Sequence, residues 1–97
     1  NLRAPFFAAQ AAAPHMAAGG CIVNVADLAA FETWPAYVPH SISKAGVVQM
    51  TEVLALEWAR HGIRVNALAP GYIATDINAD FFASPAGEAM IKRIPMR

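Results

Sequence analysis

The chain has 97 residues, of which 57% are apolar and 14% charged, a balance that excludes a disordered tract and demands extensive burial. Seven basic residues oppose seven acidic ones, so there is no field to draw in nucleic acid or an anionic membrane, and the expected partner is a small molecule. Cys21 is the only cysteine; it lacks an internal disulfide partner, is expected as a small buried hydrophobe, and suits a reducing cytoplasm.

No apolar run reaches the about 20 residues needed to span a bilayer, and the first residues lack the basic-then-apolar design of a secretory signal. Residues 1–16 place Leu2, Phe6, Phe7, Gln10, Ala11 and Ala13 in a helical rhythm, which predicts a helix if Pro5 falls in its first turn. After Gly19 and Gly20, residues 21–26 form a short, β-branched run without strict alternation, as in a parallel-sheet strand buried on both faces. Residues 28–39 contain Pro35 and Pro39 and little periodicity, which predicts a loop at the strand's carboxyl end, where α/β folds bind ligands.

A long helix is expected from His40 or Ser41 to His61, apolar on nearly every side and therefore covered on more than one face. Gly62 is expected to stop it in the left-handed region, with Arg60 and His61 complementing its negative end. Residues 63–69 read as a second buried strand, Pro70 and Gly71 as a break, and 77–82 and 84–94 as short helices. Ser84 is expected to cap the last of these, with Pro85 in its first turn. His15 and His61 sit at helix ends without a second ligand at suitable spacing, so no metal is expected.

Three side chains stand out chemically. Lys44, read as lying in the first turn of an apolar helix, opposes the dipole there and needs a purpose beyond solvation. Asp27 ends a strand, where it either supplies an acidic group or caps a nearby amide. His40 carries an imidazole, a competent acid or base near neutrality. Ser41 and Ser43 are expected to satisfy amides of the helix start.

The run 21–27, then Ser43, Lys44, Ala45 and Gly46 opening a helix, then the run 63–71 ending in Pro70 and Gly71, strongly resemble in order and spacing the short-chain dehydrogenase/reductase family. Residues 71–95 look most like its 3-oxoacyl-carrier-protein reductase and gluconate dehydrogenase members. The resemblance implies an α/β fold: the carboxyl-terminal part of a doubly wound parallel sheet of Rossmann type, incomplete. Residues 1–97 would then be a partial NAD(P)-binding oxidoreductase domain, with the glycine-rich half that holds the pyrophosphate lying outside them. Two strands with open edges bury too little surface to offset chain entropy, so the chain is predicted not to fold stably alone.

The resemblance also implies hydride transfer between NAD or NADP and a carbonyl, alcohol or imine. In the family, a tyrosine moves the proton, a lysine lowers the tyrosine pKa from about 10 and holds the cofactor ribose, and a serine hydrogen-bonds the substrate oxygen. Here Lys44 occupies the lysine place, His40 the tyrosine place and Asp27 the serine place, with the spacing intact. Asn1 aligns with the asparagine that links the lysine to solvent through water. Pro70, Gly71, Ile73 and Thr75 match the segment that contacts the cofactor, and Tyr37 and Tyr72 are expected to wall the substrate pocket.

An ionised Asp27 accepts hydrogen bonds only, which disfavours simple ketone reduction; pteridine reductases of the same family carry aspartate there and reduce a ring imine. His40 either replaces the tyrosine or marks a lapsed site in a fold kept as a binding or scaffold subunit, and a truncated gene fragment is the third reading. The two long helices are expected to pair copies into a homodimer or homotetramer.

Overall fold

Helix α1 occupies Arg3–Ala12 and runs into a 3-10 turn at Ala13–His15. Pro5 is its third residue, inside the first turn, where an amide has no carbonyl to meet. The computed structural model describes residues 1–16 and 19–96. Strand β1 follows at Cys21–Val25, then a 3-10 turn at Leu28–Ala30 and helix α2 at Val38–Trp58. Gly62, at φ 70°, closes the 3-10 extension Ala59–His61, the left-handed stop expected of it. Strand β2 is Arg64–Leu68, and α3 (Ala79–Phe82) and α4 (Pro85–Ile91) complete the order. Ser84 caps α4 by accepting from the Gly87 amide at 3.2 Å.

Helix α2 starts two residues before the predicted His40, because Pro39 sits in its first turn and needs no amide there. It crosses between β1 and β2, which pair in parallel from Cys21↔Arg64 to Val25↔Leu68. The core lies between this ribbon and one stripe of α2, with Val47, Ile63, Val65 and Ala26 buried. Within it, Asn24 Nδ2 donates to Thr51 Oγ1 at 2.9 Å, and Thr51 Oγ1 donates to the Val47 carbonyl at 2.7 Å. Both polar residues are buried, so removing one partner strands the other without water. Thr51→Val is expected to lower stability by about 1–3 kcal/mol, read as a lower urea midpoint at unchanged slope.

The strands were expected to be buried on both faces, and they are not. Residues alternate along β1, and only the side facing α2 is covered; Val23, Val25 and Leu68 on the other side are each more than half exposed. Cys21 shares that open face and is exposed rather than buried. The cause is architectural, since one crossover helix can cover only one side of a two-stranded ribbon. α2 likewise buries Val47 and Thr51 while Ile42, Val53 and Leu56 face outward.

The overall dimensions agree with a partly covered unit. The accessible surface is 7108 Å², roughly a third above the about 5,400 Å² of a folded monomer of this mass. The radius of gyration is 16.5 Å, against about 12.5 Å for a compact domain of this length.

Candidate active site

The carboxyl end of β1 and the opening turns of α2 bring the chemically active residues together. The Ala26 amide extends the ladder by donating to the Leu68 carbonyl at 2.8 Å, which fixes the direction in which Asp27 leaves the strand. Asp27 then caps the Leu28–Ala30 turn: its Oδ1 accepts from the Ala29 amide at 2.8 Å. Capping, one of the two roles posed from the sequence, occupies Oδ1 alone. Oδ2 points to His40 and lies 3.6 Å from its Nε2, with both side chains about one third exposed, 35% and 34%. That separation is too long for a hydrogen bond and short enough for a solvent-screened ion pair once the imidazole is protonated.

Lys44 follows His40 by one helical turn and shares its face of α2. Because α2 begins at Val38, Lys44 lies in the second turn, not the first, so opposition to the dipole does not account for it. Its Nζ donates to the Val25 carbonyl at 3.0 Å, which ties the helix to the strand tip and leaves two ammonium protons for other acceptors. Ser43 also differs from expectation. Its hydroxyl donates to the His40 carbonyl at 2.8 Å and satisfies no amide, the back-bonding open to serine within a helix. The Ser41 side chain makes no hydrogen bond among the described residues.

An aromatic chain borders this group. The Tyr37 amide reaches back to the Trp34 carbonyl at 3.4 Å, closing a turn with Pro35 second and Ala36, at φ 68°, third. That is the pattern of a type II turn, whose third position favours glycine, so alanine there costs on the order of 1 kcal/mol. The turn sets Trp34 and Tyr37 edge to face at 5.9 Å, and Tyr37 stands edge-on to His40 at 6.3 Å. Trp34 stacks on Tyr72 at 6.0 Å, and Tyr72 meets Phe82 edge-on at 6.2 Å. The two tyrosines singled out from the sequence are thus joined through Trp34, which was not singled out. The Trp-Pro-Ala-Tyr turn was its only local signal.

Residues 70–75 form the other side. A side chain at Gly71 would make only an ordinary contact with Leu28 Cδ1, at 3.6 Å, so glycine is not forced here by crowding within the chain and instead leaves open space. Asn78, also missed from the sequence, staples the segment: its Oδ1 accepts from the Thr75 amide at 2.8 Å and its Nδ2 donates to the Ile73 carbonyl at 2.9 Å. Threonine followed three residues later by an amide side chain is the available signal. Pro70 is half-buried, whereas Ile73 and Thr75 are exposed. Asn1 is exposed and makes no hydrogen bond to Lys44. Its neighbour Leu2 packs over Gly46, two positions beyond Lys44. Among the described residues no cluster of His, Cys, Asp and Glu suits a metal ion, and no helix is long and apolar enough to cross a membrane.

A parallel strand, helix, strand unit with a carboxylate, an imidazole and an ammonium at the strand's carboxyl end places the chain in the Rossmann class of α/β proteins. The family model described as enoyl-(acyl carrier protein) reductase matches residues 1–97. The chain is 40% identical, over 99 residues, to the 2-dehydro-3-deoxy-D-gluconate 5-dehydrogenase of Escherichia coli (strain K12), covering 98% of this chain and 39% of that protein. A solved gluconate 5-dehydrogenase from Burkholderia cenocepacia J2315, in complex with NADP and tartrate, superposes with TM-score 0.79 at 34% identity, over 90% of this chain and 35% of that one. A 4-hydroxyisoleucine dehydrogenase complexed with NADH superposes with TM-score 0.84 at 31% identity, over 94% and 39%. The chain belongs to the short-chain dehydrogenase/reductase family, and it spans less than half the length of these relatives.

Proposed function

We propose that these residues form the carboxyl-terminal part of an NAD(P)-dependent oxidoreductase of the short-chain type, passing hydride between nicotinamide and a carbonyl, alcohol or imine, with His40 as the proton carrier. Residues 1–97 are then a partial nucleotide-binding domain whose glycine-rich half lies outside them. The observation that carries this reading is the approach of His40 Nε2 to Asp27 Oδ2, at 3.6 Å, one helical turn from Lys44.

The residues suit a nicotinamide dinucleotide. Lys44 has two ammonium protons left over for ribose hydroxyls, and Gly71 leaves open space beside Leu28. Pro70, Ile73 and Thr75, in the same segment as Gly71, are the further residues proposed to meet the cofactor. The relatives whose structures hold NADP and NADH support this choice of cofactor. When bound, the nicotinamide supplies or removes the hydride. In reduction, protonated His40 gives its Nε2 proton to the oxygen or nitrogen on which charge develops, and it takes that proton back in oxidation. Asp27, anchored through Oδ1, holds the ring and stabilises the imidazolium, and its carboxylate favours a substrate nitrogen that carries a proton. Asn1, two residues before α1, completes the proposed set as the water link from Lys44 to solvent.

The test follows nicotinamide absorbance in the intact protein with a panel of carbonyl and imine substrates. His40→Ala is expected to lower kcat about a hundredfold, while His40→Tyr keeps turnover within the same order. An alanine variant as fast as the parent would end histidine catalysis. A silent parent that His40→Tyr switches on would show a lapsed site.

The intact protein is proposed to be a homodimer or homotetramer paired through α1 and α2. An open apolar groove of about 740 Å³, with Leu2, Phe6, Met50 and Val53 in its walls, runs between these helices. Light scattering is expected to give twice or four times the chain mass, and a monomer at all concentrations removes this reading. The single exposed thiol of Cys21 suits a cytoplasmic location.

A further inference from the structure

We infer that the substrate of this site is a neutral, mainly apolar ring compound seated against Trp34 and Tyr72, and that Trp34 sets this preference; the inference rests on the oxidoreductase reading above. Beside the stacked pair lies a cavity of about 470 Å³ whose further apolar walls are Leu28, Met90 and Ile94. This size lies within the range of small-molecule sites. Two charged residues, Glu32 and Arg93, also line it and carry opposite signs, so the lining selects neither anion nor cation. Glu32 is partly spent as well, since its Oε2 accepts from Trp34 Nε1 at 3.1 Å. A polyol, with a hydroxyl on every carbon, can meet Glu32 and Arg93 at one side but sets its remaining hydroxyls against Leu28, Met90, Ile94 and the two rings, where they lose water without a partner. A flat or rigid ring gains contact with two aromatic faces and three aliphatic side chains without that loss.

The cavity adjoins the chain of rings that leads from Trp34 through Tyr37 to the proposed proton carrier. Leu28 directly follows Asp27, and Tyr37 stands edge-on to Trp34 at 5.9 Å and to His40 at 6.3 Å. The strained φ of 68° at Ala36 belongs to the turn that holds Trp34 and Tyr37 in this arrangement.

The test uses the intact protein with either nicotinamide coenzyme, α-tetralol and decalol as ring probes, and glycerol and D-gluconate as polyol probes. The ring probes are expected to exceed the polyols in kcat/KM by about a hundredfold. Trp34→Ala should cut kcat/KM for the ring probes about thirtyfold, mainly through KM, and leave the polyols unchanged, while Trp34→Phe keeps most of the preference. Polyols turned over better than ring compounds, or a folded Trp34→Ala protein with an unaltered preference, overturn the inference and leave the oxidoreductase reading standing. If nothing is turned over, equilibrium dialysis of α-tetralol separates the two. Saturable binding that Trp34→Ala weakens supports the ring pocket and leaves hydride transfer to be decided by the carbonyl and imine panel, and no binding ends the ring pocket.

Discussion

Replacing Lys44 by methionine in the intact protein is expected to lower kcat/KM about a thousandfold while lowering stability by only about 1 kcal/mol. The asymmetry follows from where the ammonium sits. Its one hydrogen bond among the described residues, to the Val25 carbonyl at 3.0 Å, is solvent-exposed, and water satisfies that carbonyl when the bond is lost. Nothing equivalent replaces the charge beside His40 and the two protons proposed to meet the cofactor ribose. Steady-state kinetics and a urea titration of the same variant check both halves. A stability loss matching the activity loss would make Lys44 a structural strut, and unchanged kinetics would remove it from the site. Lys44→Arg should recover little, because a planar guanidinium cannot place a compact charge at the same point.

The 97 residues produced alone are expected to lack a cooperative melting transition and to bind a hydrophobic dye. The buried apolar residues are mostly small: Ala9, Ala26, Ala29, Val47, Ile63 and Val65. Against them stand Val23, Val25 and Leu68 on the open sheet face and Ile42, Val53 and Leu56 on α2, all exposed. Each strand of the pair also presents one unpaired edge. Ordering each residue costs about 1–2 kcal/mol in backbone entropy, and so small a core does not offset that. Near-ultraviolet circular dichroism and calorimetry read the outcome, and a sharp two-state transition of the isolated chain would refute it. The same measurement on the longer protein proposed above should show that transition, because its further strands and helices would cover the open face.

Part of this molecule was legible residue by residue. Periodicity, β-branching and glycine placement marked the long helix, both strands and their parallel arrangement, and Gly62 and Ser84 ended and began helices where their chemistry demands. The family resemblance singled out Asp27, His40 and Lys44, and the fold brings these three residues to one strand tip. Less legible were the start of α2, where Pro39 joins the helix it was expected to precede, and the role of Ser43, whose hydroxyl turns to a carbonyl.

Elements and their order are set by interactions among residues a few positions apart, and these a sequence states by itself. What tertiary structure alone decided are contacts between distant residues: Asn24 with Thr51, Lys44 with the Val25 carbonyl, and Trp34 stacked on Tyr72. It also decided which side of the ribbon is covered, and so why Cys21 and Val23 are exposed. The physical reason is that a strand or helix carries its pattern along the chain, whereas its rotation and partner face come from packing against neighbours. Two oxygens of one Asp27 carboxylate doing different work, one capping an amide and one facing an imidazole, is a distinction that only that packing makes.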